Sequence, residues 1–435
     1  MNRIHIQKAK VLFIIGLVLL LACQRPAGPP PGPYAGAELR LEQLSVTCTE
    51  AWLKVSLAGV DSADQGRLDI ELKRNDTIVA SFAFLPPDTI IRDFGLQPGR
   101  SYRYRVYRGS GTGGPSPEMT VTTLDTTSHD FVWEIDTLGK HTSYLNDVWI
   151  VNENDIWVVG NIETVSGEYN AARWDGNEWR FFGIYSNTAD LYSILYFSED
   201  DIWVTSHCFP IHWDGHEWTL YHLQNMGLDA CAGNAIWGSS PDDVYFVGDG
   251  GSIVHWDGAG FEKIESGTTL FINDIWGTYN SRTEQYEILA VASGRAMPIG
   301  QEVLKITGDQ VTTVTDSGLA WRLSSIYFIP EEKYYIVGAG VFECNNINTL
   351  VKWKTYPPGV VTSYFSRKIR GNGVNDIFIV GDFGEILHYN GVSWMNYTSQ
   401  TGMEDGYYLS LAFKDNLVVS VGQVYDKGVI AIGRR

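Results

Sequence analysis

A tryptophan-bearing phrase recurs along this chain at a spacing of roughly 40–46 residues, and a fixed period of that length built of short apolar runs is the signature of a radial array of β-sheets. It reads Asp-Asp-Val-Tyr-Phe-Val-Gly at 242–248, followed by Ile-Val-His-Trp-Asp-Gly at 253–258. The same phrase stands as Asn-Asp-Ile-Trp-Val-Val-Gly at 154–160 with Arg-Trp-Asp-Gly-Asn-Glu-Trp at 173–179. It returns at 200–205 with 212–218, and at 375–381 with His-Tyr-Asn-Gly-Val-Ser-Trp at 388–394. Each unit reads as four short strands. Units are expected at 143–182, 191–222, 234–265, 271–314, 322–356 and 369–398, with a short last one at 408–433. That last unit lacks a fourth strand, while Phe131–Ile135 stands alone before the first unit. The orphan therefore completes the last unit, which removes the free sheet edges that invite aggregation. The expected fold class is all-β: a small β-sandwich and a closed β-propeller of about seven four-stranded blades, at 130–435.

Asp175-Gly176, Asp214-Gly215, Asp257-Gly258 and Asn390-Gly391 lie between two apolar runs. Asp-Gly and Asn-Gly tolerate positive φ at both central positions, as a type I′ hairpin requires. They are read as turns joining the third and fourth strands, with Trp174, Trp179, Trp213, Trp218, Trp256 and Trp394 packing between blades. A catalytic or calcium-binding role for the three aspartates is the competing reading. Recurrence favours shape, because a catalytic residue is needed once and a turn in every blade. The pairs Asn154-Asp155, Asp200-Asp201, Asp242-Asp243, Asn273-Asp274 and Asn375-Asp376 are read as Asx turns before a strand.

The first residues form an export signal. Arg3, Lys8 and Lys10 precede an apolar run, Val11–Leu21, which is too short for the ~20 residues a membrane span needs. The run ends Leu20-Leu21-Ala22-Cys23, which resembles the lipobox of bacterial lipoproteins. That resemblance makes 1–23 a lipoprotein signal peptide with its lipobox and implies acylation of Cys23, which becomes the new N-terminus, and anchoring in a lipid bilayer by three chains, one alone being marginal. Gln24, where an Asp would retain the protein at the inner membrane, points to the outer membrane of a bacterial cell envelope, on either its periplasmic or its surface face. Residues 24–37 are a Pro-rich tether, extended and semi-rigid.

Residues 38–125 differ from the repeats. Trp52–Leu57, Leu68–Leu72 and Tyr102–Tyr107 alternate apolar and polar, so each strand buries one face. Leu96-Gln-Pro-Gly-Arg-Ser-Tyr102 resembles the tyrosine corner of fibronectin type III domains. The resemblance implies that Tyr102 bonds back to the backbone and that Trp52 lies on the inner face. A spacer role is expected.

The net charge of -19, about -22 once the signal is removed, makes nucleic acid a poor partner. Cys48, Cys208, Cys231 and Cys344 show no Cys-x-x-Cys spacing, so neither zinc nor thioredoxin-type chemistry is indicated. Cys208 and Cys231 are the nearest pair for a disulfide after export; free or buried thiols are the other expectation. His207, His212 and His216 fall on different parts of a hairpin, so no metal site is expected, and no cofactor.

The repeat resembles several bacterial propeller families. Ile236–Gly248 is similar to units of exported bacterial lipoproteins, and Trp-Asp-Gly-x-x-Trp to the Asp-box turn of sialidase-like propellers and to the photosystem II assembly-factor propellers. Asp274-Ile-Trp-Gly-Thr278 resembles the propeller of hybrid two-component sensors. Fold resemblance of this kind does not fix function. Function is expected on the irregular loops that join second to third strands and successive blades, where His207, Arg295, Tyr169, Phe209, Phe342 and Phe383 could meet at the channel mouth and suit a sugar or peptide. The alternative is that these loops only cap the channel. No Gly-x-Ser-x-Gly elbow or His-Glu-x-x-His occurs. The leading expectation is a non-catalytic, membrane-anchored binding or scaffold module for a protein or glycan partner. A glycan-active enzyme of the sialidase-like class comes second and would need three arginines converging with paired carboxylates. A sensory or assembly-factor propeller comes third, since no transmembrane helix or kinase domain follows.

Overall fold

The structure is a computed structural model that describes residues 34, 36–60, 68–84, 88–109, 114–186, 189–295, 300–314, 316–348 and 351–435. The expected export signal, Cys23 and nearly all of the expected tether lie outside the described residues.

Two sheets form first. Glu38–Val46, Glu50–Ala58 and Asp88–Phe94 make a three-stranded sheet; Thr77–Phe84, Leu68–Arg74, Ser101–Arg108 and Met119–Thr122 make a four-stranded one. They share a core that includes Leu39, Leu53, Val55, Ile70, Leu72, Tyr104 and Val106. The hydroxyl of Tyr102 accepts a bond from the Gln97 amide at 2.9 Å. Trp52 departs from the expected inward position. Ala51, Leu53 and Val55 take the buried face of its strand, so Trp52 stands on the other face with the Arg92 guanidinium 5.2 Å above its ring.

Seven four-stranded antiparallel sheets follow, each an up-and-down meander. Their inner strands are Tyr144–Asn152, Ser193–Ser198, Cys231–Ser240, Phe271–Asn280, Leu323–Ile329, Ser366–Gly373 and Tyr407–Lys414, which number blades one to seven. Val132–Leu138 is the fourth strand of blade seven, with Ile135 opposite Ala431. The inner strand of blade seven packs beside that of blade one, and Leu145, Val148, Val419 and Ile430 share one apolar cluster there. Inner strands are stitched to their neighbours through side-chain amides. Asn146 donates to the Leu191 carbonyl (2.7 Å), Asn234 to Ile272 (3.0 Å) and Asn273 to Leu323 (2.8 Å).

The repeated phrases now have physical causes. In blades one, three, five, six and seven the second strand carries a glycine near its end: Gly160, Gly248, Gly338, Gly381 and Gly422. A Cβ on any of these would run into a backbone carbonyl at the start of the inner strand or of the residue just before it. The Asp-Gly pairs are hairpin turns, but not two-residue type I′ turns. Only the glycine has positive φ (86° at Gly258), and the loop holds four residues. The Asp carboxylate closes it: Asp257 Oδ1 accepts the amides of Ala259 and Gly260 at 2.8 Å each. These backbone bonds hold the carboxyls of Asp175, Asp214 and Asp257 below the usual range. Each turn glycine also sits against the Asx residue of the neighbouring turn, Gly258 on Asp242 and Gly176 on Asn154. The flanking tryptophans pair across their own hairpin, Trp174 with Trp179 and Trp213 with Trp218, as well as reaching neighbours: Trp256 lies 5.5 Å from Trp203 of blade two. The second acid of each Asx pair binds the base before the Trp, as in Asp155 with Arg173 and Asp243 with His255.

Asn273-Asp274 is the exception. It is no turn; it lies inside the inner strand Phe271–Asn280, with Asp274 fully buried.

Candidate functional site

Inner strands run from the rim of second-to-third-strand loops to the opposite rim of Asx turns, and residues two apart share a face. The channel therefore has two distinct ends.

The first rim carries aromatic plates topped by arginines. Arg295 lies 3.9 Å over Phe271 and pairs with Asp249 at 3.4 Å. Arg322 and Arg367 lie 5.3 and 5.2 Å from the same Phe365 ring, and Arg367 Nε donates to Asp382 at 2.8 Å. Burial, then the positive charges of Arg367 and Arg295, pull the Arg322 pKa down. His207 is exposed on this rim, its ring 5.3 Å from Tyr192, and Phe383 is exposed against Tyr364 at 4.4 Å. Cys208 and Cys231 form a disulfide that ties the His207 loop to the inner strand of blade three.

The other three sequence candidates do not join this group. Phe209 turns edge-on to His222 at 5.0 Å. Tyr169 lies beside Phe181 and packs against the apolar cluster of blades one and seven. Phe342 is wholly buried in the core of blades four and five, so it has no face to offer a ligand. The expected loop at 341–346 is largely a strand, Gly340–Cys344, whose register with Lys333–Gly338 turns that ring inward.

A cavity of about 470 Å³ occupies the channel toward the opposite rim. Its wall includes Trp149, Trp237, Trp276, Phe413 and Lys414. Two carboxylates belong to this region: Asp147 in the cavity wall, and Asp274 fully buried behind Lys368 and Arg370. Asp274 accepts from Lys368 Nζ (2.9 Å), twice from Arg370 (2.9 Å each) and from Ser325 Oγ (2.5 Å). Burial alone would raise its pKa; Arg370 and Lys368 more than reverse this and hold it far below the carboxylate range. The Arg370 guanidinium lies 4.5 Å over Trp276. Asp147 accepts from Ser193 Oγ (2.8 Å), the Ile194 amide (3.0 Å) and Ser410 Oγ (2.7 Å).

The sandwich touches the array on the rim toward which this cavity lies. Arg282 donates to the Leu44 carbonyl, Asn375 Nδ2 to Asp125 O at 2.8 Å, and Thr127 Oγ1 to Asn375 O at 2.7 Å. Among the described residues no group of three or more His, Cys, Asp or Glu could hold a metal ion, and no helix is long and apolar enough to cross a membrane.

No family model matches the sequence, and no curated protein does. Solved structures resemble the fold. YCF48 bound to D1 peptide aligns with TM-score 0.53 at 15% identity, covering 71% of this chain and 97% of that one. YCF48 from Cyanidioschyzon merolae gives 0.51 at 15%, covering 69% and 98%. The extracellular domain of the hybrid two component system BT3049 from B. thetaiotaomicron gives 0.50 at 12%, covering 89% of this chain and 56% of that one. At such identities the likeness is one of fold, the β-propeller.

Proposed function

We propose that this chain is a non-catalytic binding or assembly module, held at the outer membrane of a bacterial envelope by lipid on Cys23, which receives a segment of a partner protein in its channel. The observation that carries the reading is the 470 Å³ cavity, whose lining includes three indoles and which lies toward the rim that the sandwich touches. Aromatic walls with a few fixed polar groups suit extended peptide or sugar. A propeller of similar fold, YCF48, has been solved with a peptide bound, which supports the peptide class. The test uses soluble protein lacking residues 1–33 in an envelope pull-down and on a glycan array. A protein partner that is retained, and is lost with Trp149→Ala, agrees with the reading; retention unaffected by channel variants refutes it. Labelled palmitate should enter the full chain and not Cys23→Ser.

A second reading, the glycan-active enzyme, draws on Arg295, Arg322 and Arg367 gathering on the other rim. Two of them are already engaged with Asp249 and Asp382. Turnover of any glycan, abolished by Arg322→Ala, would place it first.

A further inference from the structure

Blades one and four carry the same phrase in their inner strands, Asn146-Asp147-Val148-Trp149 and Asn273-Asp274-Ile275-Trp276. In both, the aspartate and the tryptophan two residues on share the channel-facing side. In both, the carboxylate takes a serine hydroxyl and a backbone amide from the next blade: Ser193 and Ile194 for Asp147, Ser325 and Ile326 for Asp274. The two sites are built alike up to this point, except that Asp147 also accepts from Ser410 of blade seven at 2.7 Å.

They differ in what comes from two blades further on. From blade four that step leads to Ile369-Arg370-Gly371, and Arg370 lays its guanidinium on Trp276 and against Asp274. From blade one it leads to Ile236-Trp237-Gly238, the same place in the strand, where no cation stands: the Trp237 indole packs onto Gly277 of blade four and beside Tyr286, and reaches the cavity only with its edge. Asp147 makes no ion pair among the described residues, and the space before it is part of the 470 Å³ cavity. Blade four thus displays a carboxylate and an indole with their cation in place; blade one displays the same carboxylate and indole without one.

We propose that Asp147 and Trp149 form a receptor for a side-chain cation, guanidinium or ammonium, carried by the partner segment. This rests on the peptide-binding reading above. A carboxylate with a charge-assisted bond to make and aromatic faces for cation–π contact is the chemistry that recognises such a group. Of the cations in the wall, Lys368 and Arg370 are held by Asp274 and Lys414 donates to the Val151 carbonyl, which leaves Asp147 as the acidic residue of the wall with no cation on it among the described residues. The chain's net charge of -19 draws basic segments toward it.

The experiment measures tryptophan fluorescence and titration heat with soluble protein and Gly/Ser nonapeptides bearing one central Arg, Lys, citrulline or Glu. The Arg or Lys peptide should bind about tenfold or more tightly than citrulline, the Glu peptide worst. That preference should vanish in Asp147→Asn and shrink in Trp149→Leu, which leaves the carboxylate network in place; the urea midpoint of each variant reports whether it is folded. The ratio of Arg to Lys identifies which cation is preferred. Equal binding of Arg and citrulline peptides, or a preference that survives in Asp147→Asn, overturns the inference and leaves the peptide-binding reading standing. Binding by none of the four overturns the inference as well, and the pull-down then decides the broader reading separately.

Discussion

Replacing Asp274 by Asn tests how the channel is held together. The side chain is fully buried, and Lys368 and Arg370 are 16% and 12% exposed. Asn keeps the shape and one acceptor, but it deprives two nearly buried cations of their counter-charge. Losing one member of a buried ion pair costs about 3–5 kcal/mol, mostly because the remaining charge is stranded. Two stranded cations put Asp274→Asn at the upper end, about 4–5 kcal/mol. Salt should recover little, because screening is weak inside the protein. The assay is urea unfolding followed by tryptophan fluorescence, with circular dichroism as a second probe. A triple variant, Asp274→Leu with Lys368→Met and Arg370→Met, should recover most of the loss, since an apolar set of similar volume carries no desolvation penalty. The pH dependence has a definite sign. The folded pKa is lowered, so the contribution is present above the unfolded value of about 3.9 and fades as pH falls from there toward the folded one. A loss below about 1 kcal/mol for Asp274→Asn, or a triple variant worse than the single, would refute the argument.

Three other outcomes follow from the packing. Gly258→Ala puts a Cβ 2.5 Å from Asp242 Oδ1 at a φ of +86°, so it should cost about 2–3 kcal/mol in urea unfolding, against a few tenths for Gly260→Ala, which has open space. Reducing Cys208–Cys231, or replacing both by Ser, should lower stability by about 3 kcal/mol for a loop of this length. His129 Nδ1 and His388 Nδ1 are 2.8 Å apart, and burial first, with nearby positive charge, lowers both pKa values. The unfolded chain therefore binds more protons below about pH 6.5, so the urea midpoint should fall between pH 7.5 and 5.5, and fall less in His129→Gln.

The architecture was legible because it is periodic. Asp-Gly, Val-Gly and the paired tryptophans each serve a local contact that recurs in most blades, so repetition betrayed them. The orphan Phe131–Ile135 was legible as the missing strand because the last unit ended one strand short. What failed was register. Asn-Asp-Ile-Trp opens the second strand at 154–157 but lies within the inner strand at 273–276, and the phrase reads the same in both. That ambiguity hid Asp274, and with it the twin phrase at 146–149. Phe342 and Trp52 failed for the same reason, since one residue of register exchanges the core for the outside. The cavity had no local signature at all. It joins Asp147, Trp237, Arg370 and Lys414, which only the circular arrangement of inner strands brings together. The Cys208–Cys231 pairing depended likewise on two neighbouring blades meeting.

That cavity exists only if the array is closed by its N-side strand, and a cross-link tests this directly. Ile135→Cys with Ala431→Cys places thiols on residues that face each other across the last ladder. Oxidation should give one monomeric cross-linked species in high yield, with a raised unfolding midpoint and the channel ligand still bound. Failure to oxidise, or cross-linking only between molecules, would mean that the strand lies elsewhere and the wheel is open.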